Sequence, residues 1–585
     1  MNSANISRSA SARRRAAVVL AVCVTAGASL VASPAIVGRA GGGASGPGFT
    51  HYTVDPNLAG GEPIVTYYTN PTNGPDLAYT SHEGTTHLFR DGLLSPDTSN
   101  LCSTPMVPPQ NLPSGFACSY TNQVNVWTST DHGQSWTRTT VGPNGVGPTS
   151  PFGLGFSDPD WSIDEGGWLY NTGIDLANDA VFASSDGGRT FPVGNNNCHS
   201  GDRPWLAGGV SGEVFLATDT TVDPNTNLSS GHSIFHGVIT GVGPAKTLVC
   251  KGAGDTSDPS GTATTGILDY GAWQTTGSYS ASGKLFYDHN NVTPSDGYHG
   301  AIIDPALFTN TDNTNGVGIS ILPNAAAAFA GGTVTAFPQQ FEVPGAQKVF
   351  AHWPSIAIDS QDVVYLVWDT SDGGASALNN AIMLSTIDLK AAHPAFTTPI
   401  TITRPSTSGP GASVFWPWVA VGDPGNASVV WYQYDGVVNP DQNTTGHVRL
   451  YEENLFGVTS GLTPAVFGPT DAVGAVIHTG GMCQSGTTCV ATGQDRRLGD
   501  FFTNAVDENG CVMIATGETT TDPTGAVARP MFIQQTSGTS LTGHNCTALA
   551  ASTPEVPWAP LLVAGGGVVA AVVLGRRRTT RQPAM

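Results

Sequence analysis

Charge is what this 585-residue chain has least of: 11% of its residues are Asp, Glu, Lys or Arg, against roughly 25% in ordinary soluble domains. Five of its 23 basic residues are lysines, and no segment carries a basic stripe. That excludes a nucleic-acid binder, which must neutralise a phosphate backbone. Long apolar runs are confined to the two ends, which excludes a polytopic membrane protein. There is no Cys-x-x-Cys pair and no His at metal spacing from a cysteine, so a zinc site has no ligand set. Gly-x-Ser-x-Gly, His-Glu-x-x-His and a Gly-Lys-Ser/Thr phosphate loop are also missing, so Ser-His-Asp or zinc hydrolysis has no starting residue. No long amphipathic helix is legible either: Ala325–Ala328 is short and lies between Pro323 and Gly331.

Thr, Ser, Asn and 73 glycines take the place of charge, while a hydrophobic content of 39% leaves enough to bury a sizeable core. Intrinsic disorder is excluded on that ground. The ends read as an address. Arg13-Arg14-Arg15 precede the apolar run Ala16–Ala32, and Ser33 and Ala35 follow with the spacing of a signal-peptidase site. Residues 1–35 are therefore expected to be a signal peptide, with Ala40 as another cleavage position and an uncut anchor as the other reading. Residues 548–557 read as a linker and 558–575 as a transmembrane helix, Trp558–Leu574 being near the lower length limit for a span. Arg576-Arg577-Arg578 open a basic tail, 576–585, which puts the body outside and the tail inside. Between the ends, fifteen basic residues face all 44 acidic ones, a formal charge of −29. That field repels anionic polymers until salt screens it, within about 10 Å.

Export agrees with the cysteines. Cys23 leaves with the signal, and Cys102, Cys118, Cys198, Cys250, Cys483, Cys489, Cys511 and Cys546 remain. Eight cysteines suit four disulfides with 105 connectivities. Pairing in sequence order is the simplest, and it has Cys102–Cys118 and Cys483–Cys489 closing short loops.

Organisation comes from an internal repeat. A Pro or Asp is followed by Trp or another apolar residue, an alternating run, an Asp or Gly turn, and a second alternating run. Clear copies begin at Asp158, Arg203, His352 and Phe415, with weaker ones over Glu62–Tyr79, Gly271–Tyr287 and Asp500–Ile514. Each reads as a β-hairpin by period-two alternation. Seven copies at intervals of about 45 to 96 residues predict an all-β β-propeller of six or seven four-stranded blades over residues 36–547. Stacked β-sandwiches, the other arrangement, would not repeat a phrase.

Two further segments share a pattern, Ser-x-Asp-x-Gly-x-Ser/Thr-aromatic. Ser129, Asp131, Gly133 and Trp136 carry it in one, and Ser184, Asp186, Gly188 and Phe191 in the other, with a trace at Ser385–Asp388. An Asp accepts backbone N–H bonds in a tight turn, Gly takes the positive-φ position, and the ring packs under the sheet. This pattern resembles the Asp-box, or bacterial neuraminidase repeat, of the sialidase superfamily. The resemblance implies a propeller with these turns between third and fourth strands, away from the ligand face, so the aspartates are structural. It also implies a search for three arginines that clamp a carboxylate, with an Asp acid/base and a Tyr–Glu nucleophile. The family's Phe/Tyr-Arg-Ile/Leu-Pro phrase is missing. Phe89-Arg90-Asp91-Gly92 and Asp202-Arg203-Pro204-Trp205 share only fragments of it, and a triad must come from Arg90, Arg203, Arg404, Arg449, Arg496, Arg497 and Arg529.

The site candidates follow from strand position. Asp202 and Arg203, and Arg496, Arg497 and Asp500, stand at the start of a repeat's first strand, which in a propeller borders the channel. Such Asp–Arg pairs either bind a sugar's hydroxyls and carboxylate or tie adjacent blades together. Trp161, Trp205, Trp353, Trp416 and Trp418 either fill the core between blades or stack on a sugar. Asp369 with Asp372, and Asp158 with Asp160, are the carboxylate pairs from which Ca²⁺ binding is conceivable, but they lack the helix-loop-helix spacing and read as solvated turn residues. No other cofactor is expected. The chain is expected to be a cell-surface propeller binding a glycan or a surface protein, with catalysis lost or unassigned. The alternative is a glycoside hydrolase cleaving terminal acidic sugars.

Overall fold

The computed structural model describes residues 46–70, 74–82, 124–139, 157–174, 179–199, 202–222, 229–252, 267–268, 285–288, 299–303, 318–323, 339–344, 354–370, 381–405, 412–435, 445–483, 494–523, 525 and 527–547. The chain divides into units 1–44 and 45–585, and all of these residues belong to the second.

Strand β1 (Gly48–Thr53) comes first in the chain and last in the ring. Blade 1 is β2 (Gly61–Asn70), β3 (Gly74–His82), β4 (Val124–Ser129) and β5 (Thr137–Arg138). Blade 2 is β6 (Ser157–Ile163), β7 (Leu169–Ile174), β8 (Asp179–Ser184) and β9 (Val193–His199). Blade 3 is β10 (Asp202–Gly208), β11 (Glu213–Val222), β12 (Ser229–Thr240) and β13 (Thr247–Gly252), with β14 (Ile267–Leu268) added on β12. Blade 4 is β15 (Leu285–Asp288), β16 (His299–Ile303), β17 (Gly318–Pro323) and β18 (Gln339–Glu342). Blade 5 is β19 (Ser355–Ile358), β20 (Val363–Thr370), β21 (Ala381–Asp388) and β22 (Ile400–Thr403). Blade 6 is β23 (Ala412–Val421), β24 (Asn426–Asp435), β25 (His447–Phe456) and β26 (Ala465–Asp471), with β27 (His478–Thr479) added on β25. Blade 7 is β28 (Thr503–Val506), β29 (Val512–Glu518) and β30 (Arg529–Ser537), completed by β1.

All pairings are antiparallel between neighbours in each sheet, so the described residues form seven sheets of one topology. The first strands β2, β6, β10, β15, β19, β23 and β28 pack side by side in that order, and β28 meets β2. The ring is closed, and the fold is a β-propeller. Its one described helical element is a single 3-10 turn, Gly243–Ala245.

The repeated phrase has a backbone meaning. Pro has no N–H to give to the ladder, so it sits where pairing is broken. The pairing of the first strand slips between Gly61 and Ile64, Ser157 and Asp160, Asp202 and Trp205, and Phe415 and Trp418. Each slip spans an X-Pro step: Glu62-Pro63, Asp158-Pro159, Arg203-Pro204 and Trp416-Pro417. Glu62, Asp158 and Trp416 have φ of 49°, 50° and 53°, values that non-glycine residues adopt at a cost. These β-bulges re-aim the chain at one end of four inner strands.

At the other end, an Asp and a Tyr six residues later lock blade 2 to blade 3 and blade 5 to blade 6. The Asp164 carboxylate accepts from the Trp168 and Gly212 amides and, at 2.8 Å, from the Tyr170 hydroxyl. In blade 5, Tyr365 donates to Asp359 at 2.9 Å and accepts from the Gly425 amide of blade 6 at 2.7 Å. Burial and the adjacent carboxylate raise both tyrosine pKa values, keeping the hydroxyls protonated as donors.

The Ser129–Trp136 and Ser184–Phe191 segments join third to fourth strands. The Asp131 carboxylate takes the Ser135 amide at 2.9 Å and the hydroxyls of Ser129 and Ser135, while Ser129 Oγ accepts the Gly133 amide at 2.8 Å. Asp186 repeats the set with Thr190 and Ser184. Burial pushes the Asp131 pKa up, but the Ser135 and Ser129 bonds outweigh it and hold the carboxyl below its ordinary value. Gly133 and Gly188 have φ of 85° and 87°, and Trp136 meets Phe532 edge-on at 5.3 Å.

Disulfides join Cys198 to Cys250, across the outer strands of blades 2 and 3, and Cys511 to Cys546. Cys102, Cys118 and Cys489 lie outside the described residues, and Cys483 is buried. Two readings are corrected. Tyr287 is in the first strand of blade 4, not the second of a 271–287 hairpin, because the turn comes later, after Asp288. Asp160 and Asp369 are not solvated turn residues: both are buried within strands, and Asp160 accepts the Leu206 amide of the next blade at 2.8 Å. Asp372 lies outside the described residues, and the described ones hold no group of three His, Cys, Asp or Glu fit for a metal.

Candidate functional site

In a four-stranded meander the first strand starts on the same face as the second–third connections. On this upper face, segment 494–500 leads into β28. Asp495 accepts the Arg497 amide, Gly499 donates to the Arg496 carbonyl, and Gly499 has φ of 78° with Glu62 packed against its α-carbon. The result is a tight turn that sets two arginines side by side with acids.

Arg496 pairs with Asp500 and, at 3.4 Å, with Glu62. Glu62 also accepts the Asp500 amide at 3.0 Å and faces His82 Nε2 at 2.9 Å. Arg497 forms a fork on Asp495, with Nη2 2.6 Å from Oδ2 and Nε 3.0 Å from Oδ1, and its Nη1 donates to the Gly525 carbonyl. Arg529 donates to Asp522 at 2.8 Å and to the Leu58 carbonyl. His478 sits between Thr519 and the Gly481 carbonyl, and burial lowers its pKa, so the ring is neutral. All of these charged groups are buried. Where burial is this complete, ion pairs become geometric fixtures and not mobile surface charges.

Directly beside this cluster the channel is filled by rings. Trp205 of β10 lies 5.1 Å from Phe501 and 6.0 Å from Trp418 of β23, and Trp418 stacks on Phe501 at 5.9 Å. Blades 3, 6 and 7 thus meet across the ring. Trp161 and Trp416 are likewise buried in this core, whereas Trp353 lies outside the described residues. Phe501 follows Asp500, and Trp205 follows Arg203 by two residues. The two candidate segments therefore approach each other on the upper face. The side chains of Asp202 and Arg203 lie outside the described residues, as does Arg90. Arg449 pairs with Asp471 on blade 6, and Arg404 is exposed just past β22. Neither belongs to the cluster.

Glu62, His82, Asp495, Asp522 and Arg529 complete it. Glu62-Pro63 carried a signal, since it is the same X-Pro step as Arg203-Pro204. His82 and Asp522 carried none, because His82 ends the second strand of blade 1 and Asp522 lies in the β29–β30 connection, neither in a repeated phrase.

Two acids stand apart, in the wall of blade 6. Burial raises the Glu452 carboxyl well above its ordinary range, against a 2.8 Å bond from Ser428 and aided by Glu453. Burial alone pushes Glu453 up to about 7. Both hold protons in the fold that the unfolded chain releases above about pH 4.3, so they cost stability as pH rises from there towards their folded values. Glu453→Gln is expected to gain roughly 1–3 kcal/mol over the parent at pH 8 and little at pH 5, read by urea unfolding. An equal difference at both pH values would show that no titration is involved.

No family model and no curated protein matches the chain. Among solved structures, the Dos1 propeller is similar with a TM-score of 0.37 at 11% identity, over 86% of this chain and 97% of that one. The Penicillium chrysogenum α-L-arabinanase complexed with arabinobiose gives 0.31 at 13%, over 66% and 93%. The Trypanosoma rangeli sialidase in complex with the inhibitor DANA gives 0.27 at 8%, over 68% and 56%. These values add nothing to the strand topology, on which the propeller assignment rests.

Proposed function

We propose that the chain is an exported, surface-held propeller that binds a glycan or a surface protein at the upper mouth of its channel. The observation that supports the reading is the contact of Trp205 with Phe501 at 5.1 Å, which brings the chain at Asp202–Arg203 and at Arg496–Asp500 towards one another on the upper face. Aromatic faces suit the C–H surfaces of sugars, and forked Asp–Arg pairs suit hydroxyls. The disulfides fit an oxidising compartment, in keeping with a signal peptide at 1–35 and an anchor at 558–575.

Hydrolysis of an acidic sugar is the second reading. It is favoured by one observation, the bonding of Arg497 and Arg529 to the β29–β30 connection, with Arg496 next to Arg497 in the chain. Against it, each of the three guanidiniums is already matched by an internal carboxylate. A glycan array probed with the full chain in detergent tests binding, and Arg203→Ala is expected to lower the signal at least tenfold. Turnover of a fluorogenic sialoside, lost in Arg203→Ala, would replace binding by hydrolysis. No bound glycan or cell-surface protein, and no turnover, would sink both.

A further inference from the structure

The described residues leave three large apolar side chains in the open: Val242 at 82% exposure, Leu462 at 76% and Val466 at 49%. Their places in the topology coincide. Val242 caps the β12–β13 turn and Leu462 the β25–β26 turn, while Val466 is the second residue of β26. Third–fourth turns lie on the lower face, opposite the candidate mouth. The chain leaves the propeller from the same face. After β30 it runs through Leu541, which accepts the Asp423 amide of the β23–β24 turn, to Cys546, bonded to Cys511 ahead of β29. Eleven residues beyond Thr547 the apolar run begins at Trp558, a reach of at most about 40 Å even when fully extended.

We infer that the lower face is apposed to the lipid bilayer, with the Val242 and Leu462 tips touching its interface and the upper mouth turned away. This rests on the reading of residues 558–575 as an anchor. The short tether keeps the lower face beside the membrane, and the tips stand on blades 3 and 6, on different sides of the ring. Exposed apolar residues of this size are at home at a headgroup boundary, and costly only where they face bulk water. Basic groups among the described lower turns are few: Lys246 lies over Trp168 at 4.6 Å, Lys390 pairs with Asp362, and Arg189 bonds the Asp186 carbonyl. Acids such as Glu165, Asp423 and Glu508 stand among them. The partner is thus a zwitterionic surface, with no gain from anionic lipid.

The test uses the full chain reconstituted in phosphatidylcholine vesicles, with a fluorophore on Val242→Cys, Leu462→Cys or, as the upper-face control, Thr520→Cys. Headgroup nitroxide lipid is expected to quench the first two at least threefold more than the third. Equal quenching at all three, or stronger quenching at Thr520, overturns the orientation while leaving the anchor in place. Release of the chain by alkaline carbonate overturns the anchor and the orientation with it. Hydroxyl-radical footprinting of the unsubstituted chain in the same vesicles reads Leu462 against Thr520 without an added cysteine. Protection of Leu462 supports the orientation, and equal oxidation rejects it.

Discussion

A chain without residues 46–53 is expected to lose the cooperative unfolding of the whole ring. Strand β1 pairs with β30 from Gly48 to Thr53, and the Val54 and Gly60 amides extend the seam to Pro530 and Ala528. Tyr52 stacks on Phe532 at 6.4 Å, and Phe49 packs on the core. At about 1 kcal/mol per net hydrogen bond and about 1.5–3 kcal/mol per buried aromatic side chain, the loss is roughly 5–10 kcal/mol, comparable with the stability of a whole domain. It also bares the β30 edge, a template for pairing with another chain. Thermal unfolding and size-exclusion chromatography are the readouts, with an early melt and aggregation expected. A synthetic peptide of residues 46–55 added in excess should restore the parent transition. An unchanged melt would mean that the ring does not depend on its seam.

The second large effect is expected from Arg496→Met. Removing that guanidinium leaves Glu62, fully buried, and Asp500 without their shared cation. Breaking a buried pair from one side costs about 3–5 kcal/mol, whereas an exposed pair costs under about 1 kcal/mol. Urea unfolding distinguishes the two. Glu62→Gln added to Arg496→Met should recover part of the loss, because it removes one of the stranded charges, while Arg449→Met serves as the more exposed comparison. A loss below about 1 kcal/mol for Arg496→Met would place the cluster in solvent.

Both variants act on features that differ in how far they could be read beforehand. The hairpin repeat was legible because alternation and turn residues are local, and the X-Pro steps marked where each inner strand bulges. The Asp131 and Asp186 turns were legible for the same reason, every bond being made within eight residues. Seam closure was not, since Tyr52 and Phe532 are 480 positions apart and β1 repeats no phrase. At the mouth, Arg496, Arg497 and Asp500 stood out by position, and Glu62 shared its Pro step with Arg203. Asp522 was invisible because loop contacts obey no period, and His82 because its partner Glu62 lies across a strand pair and nothing local marks it. The solvated-turn reading of Asp160 went astray on exposure: clustered acids in sequence look solvated, but strand geometry turned this one inward onto the neighbouring blade.

The Cys511–Cys546 bond fixes the path that a mechanical load takes. A pull on the chain from beyond Thr547 reaches Cys546 first and passes through the covalent link to the head of β29, an interior strand of its sheet. The stretch from β30 to Cys546 is spared the tension, and so is the β1–β30 seam that closes the ring. Under reducing conditions the same pull would run straight into β30 and shear that seam. The ring would then fail at its closure, so the disulfide makes the oxidised ring the one suited to bearing force.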